Sequence, residues 1–196
     1  MTKKPFLTQI FSQNEMRPEQ IEQVVNNFKK VTFQKHDYLL QEGAIADKYW
    51  FVETGVMRAF VVNQAGEEVT TEFYTHGQMA LQAPSFLGRM PSQENIQALS
   101  EVTAWEMSFT RFQPLFQNII PYQTSARGHL VNDYFALKER NVSMIVDSAQ
   151  TRYLKLLKNH PEVIQFAPLK HIATYLGITD TSLSRIRRKL AEEGIS

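Results

Sequence analysis

At 196 residues, 43% of them hydrophobic, the chain is long enough for one large domain, or for one of about 140 residues with a small domain appended. It has no cysteine, which excludes disulfides, Cys-ligated zinc, thiolate-held iron–sulfur clusters and cysteine nucleophiles, and no apolar run near the roughly 20 residues that cross a bilayer. The net charge of +1 conceals a split: from residue 150 onward eight Lys and Arg oppose four acids, net +4, which leaves 13 bases and 16 acids, net −3, for the body.

An acidic body with a basic end points to a polyanion partner at the C-terminus. Met1 to Phe6 lacks the apolar stretch of a secretory signal, so a soluble cytoplasmic protein with no membrane partner is expected. The first periodic segment, Arg17 to Lys29, has Pro18 suited to a first helical turn and apolar residues at Ile21, Val24, Val25 and Phe28, spaced as in an amphipathic helix. From Val31 to Met107 the pattern changes to short runs rich in Val, Phe, Tyr and Trp, punctuated by Gly43, Gly55, Gly66, Gly77 and Gly88 at intervals of 11 or 12. That spacing predicts an antiparallel β-roll or jelly roll, a double-stranded β-helix. Within it, Val56 to Val62 and Glu68 to Tyr74 read as a hairpin whose tip uses Gly66 for a positive φ. Ile96 to Leu99 and Thr103 to Met107 read as a second strand pair that closes the region.

After Ser108 the helical period returns, with a short helix around Phe112 to Ile119, broken up by Pro114 and Pro121, and a longer one from about Gln123 to Val146. Leu130, Tyr134, Leu137, Asn141 and Met144 are spaced 4, 3, 4 and 3 on the longer helix, a coiled-coil seam with one polar residue that points to a homodimer. Two heptads leave open the alternative of a helix packed on its own β-roll. The expected architecture is α+β: a β-roll sensor domain with flanking helices over residues 1–122, a connecting and dimerisation helix over 123–147, and a helix-turn-helix domain over 148–196.

Pro168 to Leu190 carries the most information. Leu169, Ile172, Ala173 and Leu176 form one apolar face, Gly177 ends that helix, Ile178 plugs the turn, and Thr179 caps a second helix whose inner face is Leu183, Ile186 and Leu190. Two short helices joined by a glycine-containing turn are a helix-turn-helix. The outer face of the second helix offers Asp180, Thr181, Ser182, Ser184, Arg185 and Arg188, with Arg187 and Lys189 at its flanks. Short hydroxyl residues let a helix enter a major groove closely, and an arginine can bond a guanine edge in bidentate fashion. Arg185 is therefore expected at a base edge, with Ser184, Thr181 and Asp180 as secondary readers, and Arg188, Lys189 and Lys170 at phosphates.

The string from Ile172 to Thr179, followed by Leu183 to Leu190, resembles the DNA-reading element of the Crp/Fnr family of regulators, and the order of elements is similar over nearly the whole chain. The resemblance implies a dimeric transcription regulator that binds double-stranded DNA at an imperfect palindrome and contacts RNA polymerase. It matches Arg185 to the family's recognition-helix arginine and Thr179 to its capping hydroxyl. Asp180 and Thr181 stand where the family often has a base-reading glutamate, and the wing that follows in many members is expected to be stunted or absent, since the sequence stops at Ser196.

Members that bind cyclic AMP share a Gly-Glu pair followed, about ten residues on, by an arginine and a small hydroxyl residue. The corresponding stretch here, Leu81 to Asn95, has no Gly-Glu pair and has Ser92 and Gln93 near the arginine position, so the cyclic nucleotide is disfavoured. Phe86, Arg89, Ser92 and Gln93 are the candidate effector-pocket residues, for an unknown small effector or none. His36, His76, His129, His160 and His171 leave haem ligation open, although a lone histidine is far more often a surface or hydrogen-bonded residue. No His-x-His pair, Gly-rich phosphate loop or hydrolase triad occurs, so no cofactor, no metal and no catalysis are expected. The rival reading is a ligand-binding or protein-interaction module whose helix-turn-helix has lost DNA affinity; the basic outer face argues against it.

Overall fold

The computed structural model describes residues 4–12 and 15–194. Met1 to Lys3 of the leading segment, and Ser196, on which the expectation about the wing rests, lie outside the described residues. Two helices, α1 (Pro5–Phe11) and α2 (Pro18–Asn26), precede strands β1 (Lys29–Phe33), β2 (Tyr38–Leu40), β3 (Lys48–Thr54), β4 (Met57–Val62), β5 (Glu68–Tyr74) and β6 (Met79–Ala80). A short helix, α3 (Ala83–Gly88), leads to β7 (Asn95–Ala98) and β8 (Val102–Ser108). Helices α4 (Phe109–Asn118), α5 (Ile120–Val146), α6 (Ala149–Asn159), α7 (Pro161–Phe166), α8 (Leu169–Tyr175) and α9 (Asp180–Glu192) complete the order.

The strands form two four-stranded antiparallel sheets, β1-β8-β3-β6 and β2-β7-β4-β5, the expected β-roll. The β4–β5 hairpin closes as its sequence requires. Asn63 Oδ1 accepts from the N–H groups of Ala65 and Glu67, each at 2.9 Å, and Gly66 takes φ +79°.

The second strand pair read from the sequence does not exist. β7 bonds β2 and β4, whereas β8 bonds β1 and β3 in the other sheet. The chain crosses between sheets at Leu99 to Glu101, beside the β3-to-β4 crossing at Gly55 and Val56. There Leu99 N–H donates to Val56 O at 2.8 Å and Val56 N–H to Ser100 Oγ at 3.0 Å. Gly55 is required by this double crossing: its φ is +89°, and a Cβ would lie 2.3 Å from the carbonyl oxygen of Glu101.

Beyond β8 the helices begin earlier than their apolar spacing suggests. Pro114 sits inside α4, and α5 starts at Ile120, so that Pro121 falls in its first turn, where the missing N–H has no helical partner to lose. The core beneath α1, α2, α4 and the start of α5 is aromatic. Tyr49, Phe51, Phe86 and Phe112 meet mostly edge to face at 5.3–6.1 Å, and the hydroxyls of Tyr49 and Tyr122 bond each other at 2.9 Å. A second cluster joins Tyr153, Leu156, Val163, Ile172, Leu183 and Leu190 of the C-terminal helices to Val56, Phe73 and Leu99 of the roll.

Candidate nucleic-acid interface

Helix α8 ends in a left-handed cap. Gly177 takes φ +67°, its N–H donates to Thr174 O at 3.1 Å, and Ile178 N–H reaches back to Ala173 O at 3.0 Å. Arg152 of α6 satisfies the last carbonyl by donating to Leu176 O from Nε (3.1 Å) and Nη2 (2.9 Å). Thr179 then starts α9 by accepting from Ser182 N–H at 3.2 Å. Ile172, Ala173, Leu176, Leu183 and Leu190 are all buried, so the oily sides of the two helices face inward.

On the opposite side Thr181, Arg185 and Arg188, at i, i+4 and i+7, share one exposed stripe, with Ser184 exposed beside it. Among the described residues Arg185, Arg187 and Arg188 make no hydrogen bond or ion pair with the protein. Asp180 and Lys189 are exposed at the flanks, Lys189 pairing loosely with Glu193 at 3.8 Å, and Lys170 is exposed on α8. Ser182 does not join the stripe: its hydroxyl lies 2.9 Å from Thr179 Oγ1 and belongs to the cap.

Of the expected dimer seam, Tyr134, Leu137, Asn141 and Met144 are exposed and Leu130 is half-buried, and the Met144 side chain also reaches toward Gly177. The side of α5 that faces away from the roll is one residue later in register: Val131, Phe135, Lys138, Val142 and Ile145, again spaced 4, 3, 4 and 3. Phe135 is 61% and Ile145 84% exposed, and Tyr134 of the expected seam is 61% exposed as well.

The candidate effector residues do not converge. Phe86 is buried in the aromatic core, and Arg89 turns outward to Ala46 O (2.9 Å) and Asp47 (2.5 Å). The Ser92 hydroxyl is used locally, donating to Glu94 O at 2.7 Å, and Gln93 is exposed.

Periodicity alone did not reveal how α8 and α9 are held. Arg58, 1% exposed and the second residue of β4, donates to Gln97 Oε1 (2.9 Å), Glu68 Oε2 (2.5 Å) and His171 Nδ1 of α8 (2.8 Å), with its guanidinium over the Phe60 ring. Burial, then Arg58 and Lys170, push His171 down to about 4, so its ring is neutral and Nδ1 accepts. An arginine inside the apolar run Val56 to Val62 was the signal that could have marked this site. Arg140 of α5 adds a second tie, from Nη1 to Thr71 O (2.6 Å) and from Nη2 to Tyr175 O (3.0 Å). Glu72, beside it, is raised to about 7, chiefly by burial and also by Asp133. The other histidines bear no common site: His76 meets Glu53 O, His160 meets Thr75, and His129 packs on Phe51. Among the described residues no group of three or more His, Cys, Asp or Glu is placed to hold a metal ion, and no helix is long and apolar enough to cross a membrane.

Residues 30–119 match the family model of the cyclic nucleotide-binding domain. No curated protein matches the chain in sequence. Solved structures match over nearly its whole length. FixK2 from Bradyrhizobium japonicum is 15% identical with a TM-score of 0.74, covering 86% of each chain. The c-di-GMP-responsive global regulator CLP of Xanthomonas campestris is 14% identical with a TM-score of 0.70, covering 91% of this chain and 93% of its own. A regulator of the Crp/Fnr family from Eubacterium rectale is 14% identical with a TM-score of 0.71, covering 92% and 86%. This chain has the Crp/Fnr fold. In that fold α8 and α9 are the helix-turn-helix, α5 is the long connecting helix, and the β-roll is the cyclic nucleotide-binding-type domain.

Proposed function

We propose that this Crp/Fnr-fold protein is a dimeric, sequence-specific DNA-binding regulator of transcription and not an enzyme. The observation that carries the reading is the stripe of Thr181, Arg185 and Arg188: exposed, with arginines unpaired on the protein, on a helix whose other side is clamped to α8. A solvated helix face would gain from i, i+4 ion pairs along its length; this one carries a single weak pair at its very end. Two copies pairing along Val131, Phe135, Lys138, Val142 and Ile145 would set two such helices about 34 Å apart, one turn of B-DNA, on an imperfect palindrome in the cytosol.

The sensor half is not proposed to take a cyclic nucleotide in the mode of the phosphate cassette. Ser92 stands near the arginine position, where it offers no positive charge to offset the desolvation of a phosphodiester, and its hydroxyl already donates to Glu94 O. Titration of a duplex pool with purified protein at several salt concentrations tests the reading. Log affinity should fall linearly with log salt, by about 0.9 per phosphate neutralised. Binding that is absent, or indifferent to salt, rejects it.

A further inference from the structure

We propose that Arg58 is a positioning residue for DNA reading: it latches α8 onto the chain's own β-roll in the pose that presents α9 to the duplex, so that binding needs no effector to release the helix-turn-helix. The inference rests on the DNA-binding function proposed above and supplies its regulation.

Three kinds of contact cross from the roll to α8. Arg58 is held on the roll by Gln97 of β7 and Glu68 of β5, and its Nη1 is left for His171 Nδ1 at 2.8 Å. One turn after His171, Thr174 Oγ1 accepts at 3.2 Å from the N–H of Thr70, so α8 covers a donor of β5, the edge strand of its sheet. The rings of Phe73 and Tyr175 meet at 5.0 Å beside the core that Val56, Phe73 and Leu99 share with Ile172 and Leu176. Moving α8 away would leave a buried cation short of a partner, bare the edge donor and expose apolar surface on both sides. The arginine sets the pose more sharply than the packing does, because a planar guanidinium already fixed on two strands admits its remaining acceptor in one place.

The latched pose leaves the surface that would meet DNA free. His171 faces the roll, whereas Lys170 beside it on α8 and Thr181, Arg185 and Arg188 on α9 are exposed. Among the described residues, Thr181, Arg185 and Arg188 bond to nothing on the roll. A contact that held the helix-turn-helix back from DNA would cover part of that stripe; this one uses the opposite side of the unit.

The chain has no cysteine, so Thr70→Cys with Thr174→Cys supplies a lone thiol pair that dibromobimane can bridge, pinning α8 to β5. Binding of the random duplex pool is measured on the full chain, with the folded fraction followed by circular dichroism. Apparent affinity scales with the fraction of molecules in the competent pose, so the bridged pair should bind within about twofold of the unbridged pair. Arg58→Met should weaken binding at least about tenfold with an unchanged salt slope, because no phosphate contact is lost, and bridging in that background should restore it to within about threefold. A residue that only stabilised the fold would lower the folded fraction and leave the affinity of the folded molecules alone. His171→Ala, which removes only the acceptor on α8, should show the same loss and rescue, and it keeps the test decisive if Arg58→Met does not fold. A pair that does not bridge, bridging that abolishes duplex binding, or a folded Arg58→Met or His171→Ala protein with wild-type affinity overturns the proposal. If no form binds any duplex, the wild type included, the DNA-binding function itself has failed, a result distinct from loss on bridging alone.

Discussion

The docking of α8 on the β-roll predicts two opposed pH dependences hidden inside one protein. His171 titrates near 4 when folded against an ordinary 6.5, which corresponds to about 3 kcal/mol in favour of the neutral, docked ring. Between pH 6.5 and 4 the unfolded chain binds that proton and the folded chain does not. Its contribution is therefore complete above 6.5 and is lost as the solution is acidified toward 4. Glu72 behaves in the opposite sense: raised from 4.5 to about 7, it holds its proton only in the folded state across that interval. Its contribution is present below 4.5 and is lost as pH rises through 7. In the wild-type protein these two contributions therefore oppose each other from about pH 4.5 to 6.5. Relative to wild type, Glu72→Gln should make stability rise more steeply with pH, by at most ~1.4 kcal/mol per unit, and His171→Gln should shift the slope in the opposite sense. His129 and His160, also held down by burial, are common to all three proteins and drop out of the differences. Urea unfolding at half-unit pH steps measures these slopes. A Glu72→Gln protein with the wild-type slope, or a His171→Gln protein indistinguishable from wild type, would refute the burial of these two groups as the source of the opposed slopes.

Three further outcomes follow from the geometry. Arg185→Ala should cost ~1–3 kcal/mol of specific binding and relax preference at one position per half-site, read by selection from random duplexes, whereas Arg187→Ala, on the flank, should leave the selected motif unchanged. On the pairing proposed along Val131 to Ile145, Val142→Glu should dissociate the dimer in sedimentation while Asn141→Ala should not; the reverse result would favour the seam through Leu130 and Met144. Gly55→Ala should destabilise by more than ~2 kcal/mol in thermal unfolding, since both its positive φ and the Glu101 carbonyl exclude a Cβ, and an unchanged melting temperature would contradict the double crossing.

What the sequence determined by itself was whatever depends on neighbours a few residues apart. The hairpin tip at Asn63 to Gly66, the cap at Thr179, the turn at Gly177 and the oily sides of α8 and α9 were legible because one or two turns of chain fix them. The β-roll was legible as a class for the same reason, from strand-length runs between glycines. Tertiary structure decided the rest. That β7 and β8 part into different sheets depends on the crossing at Gly55, forty-odd residues upstream, which no local pattern records. Which side of α5 lies against the roll depends on a register that a shift of one residue rotates by about 100°, and the burial of Tyr122 and Ser125 marks it. Arg58 and His171 are 113 residues apart, and their meeting exists only once the β-roll and the C-terminal helices have closed on one another.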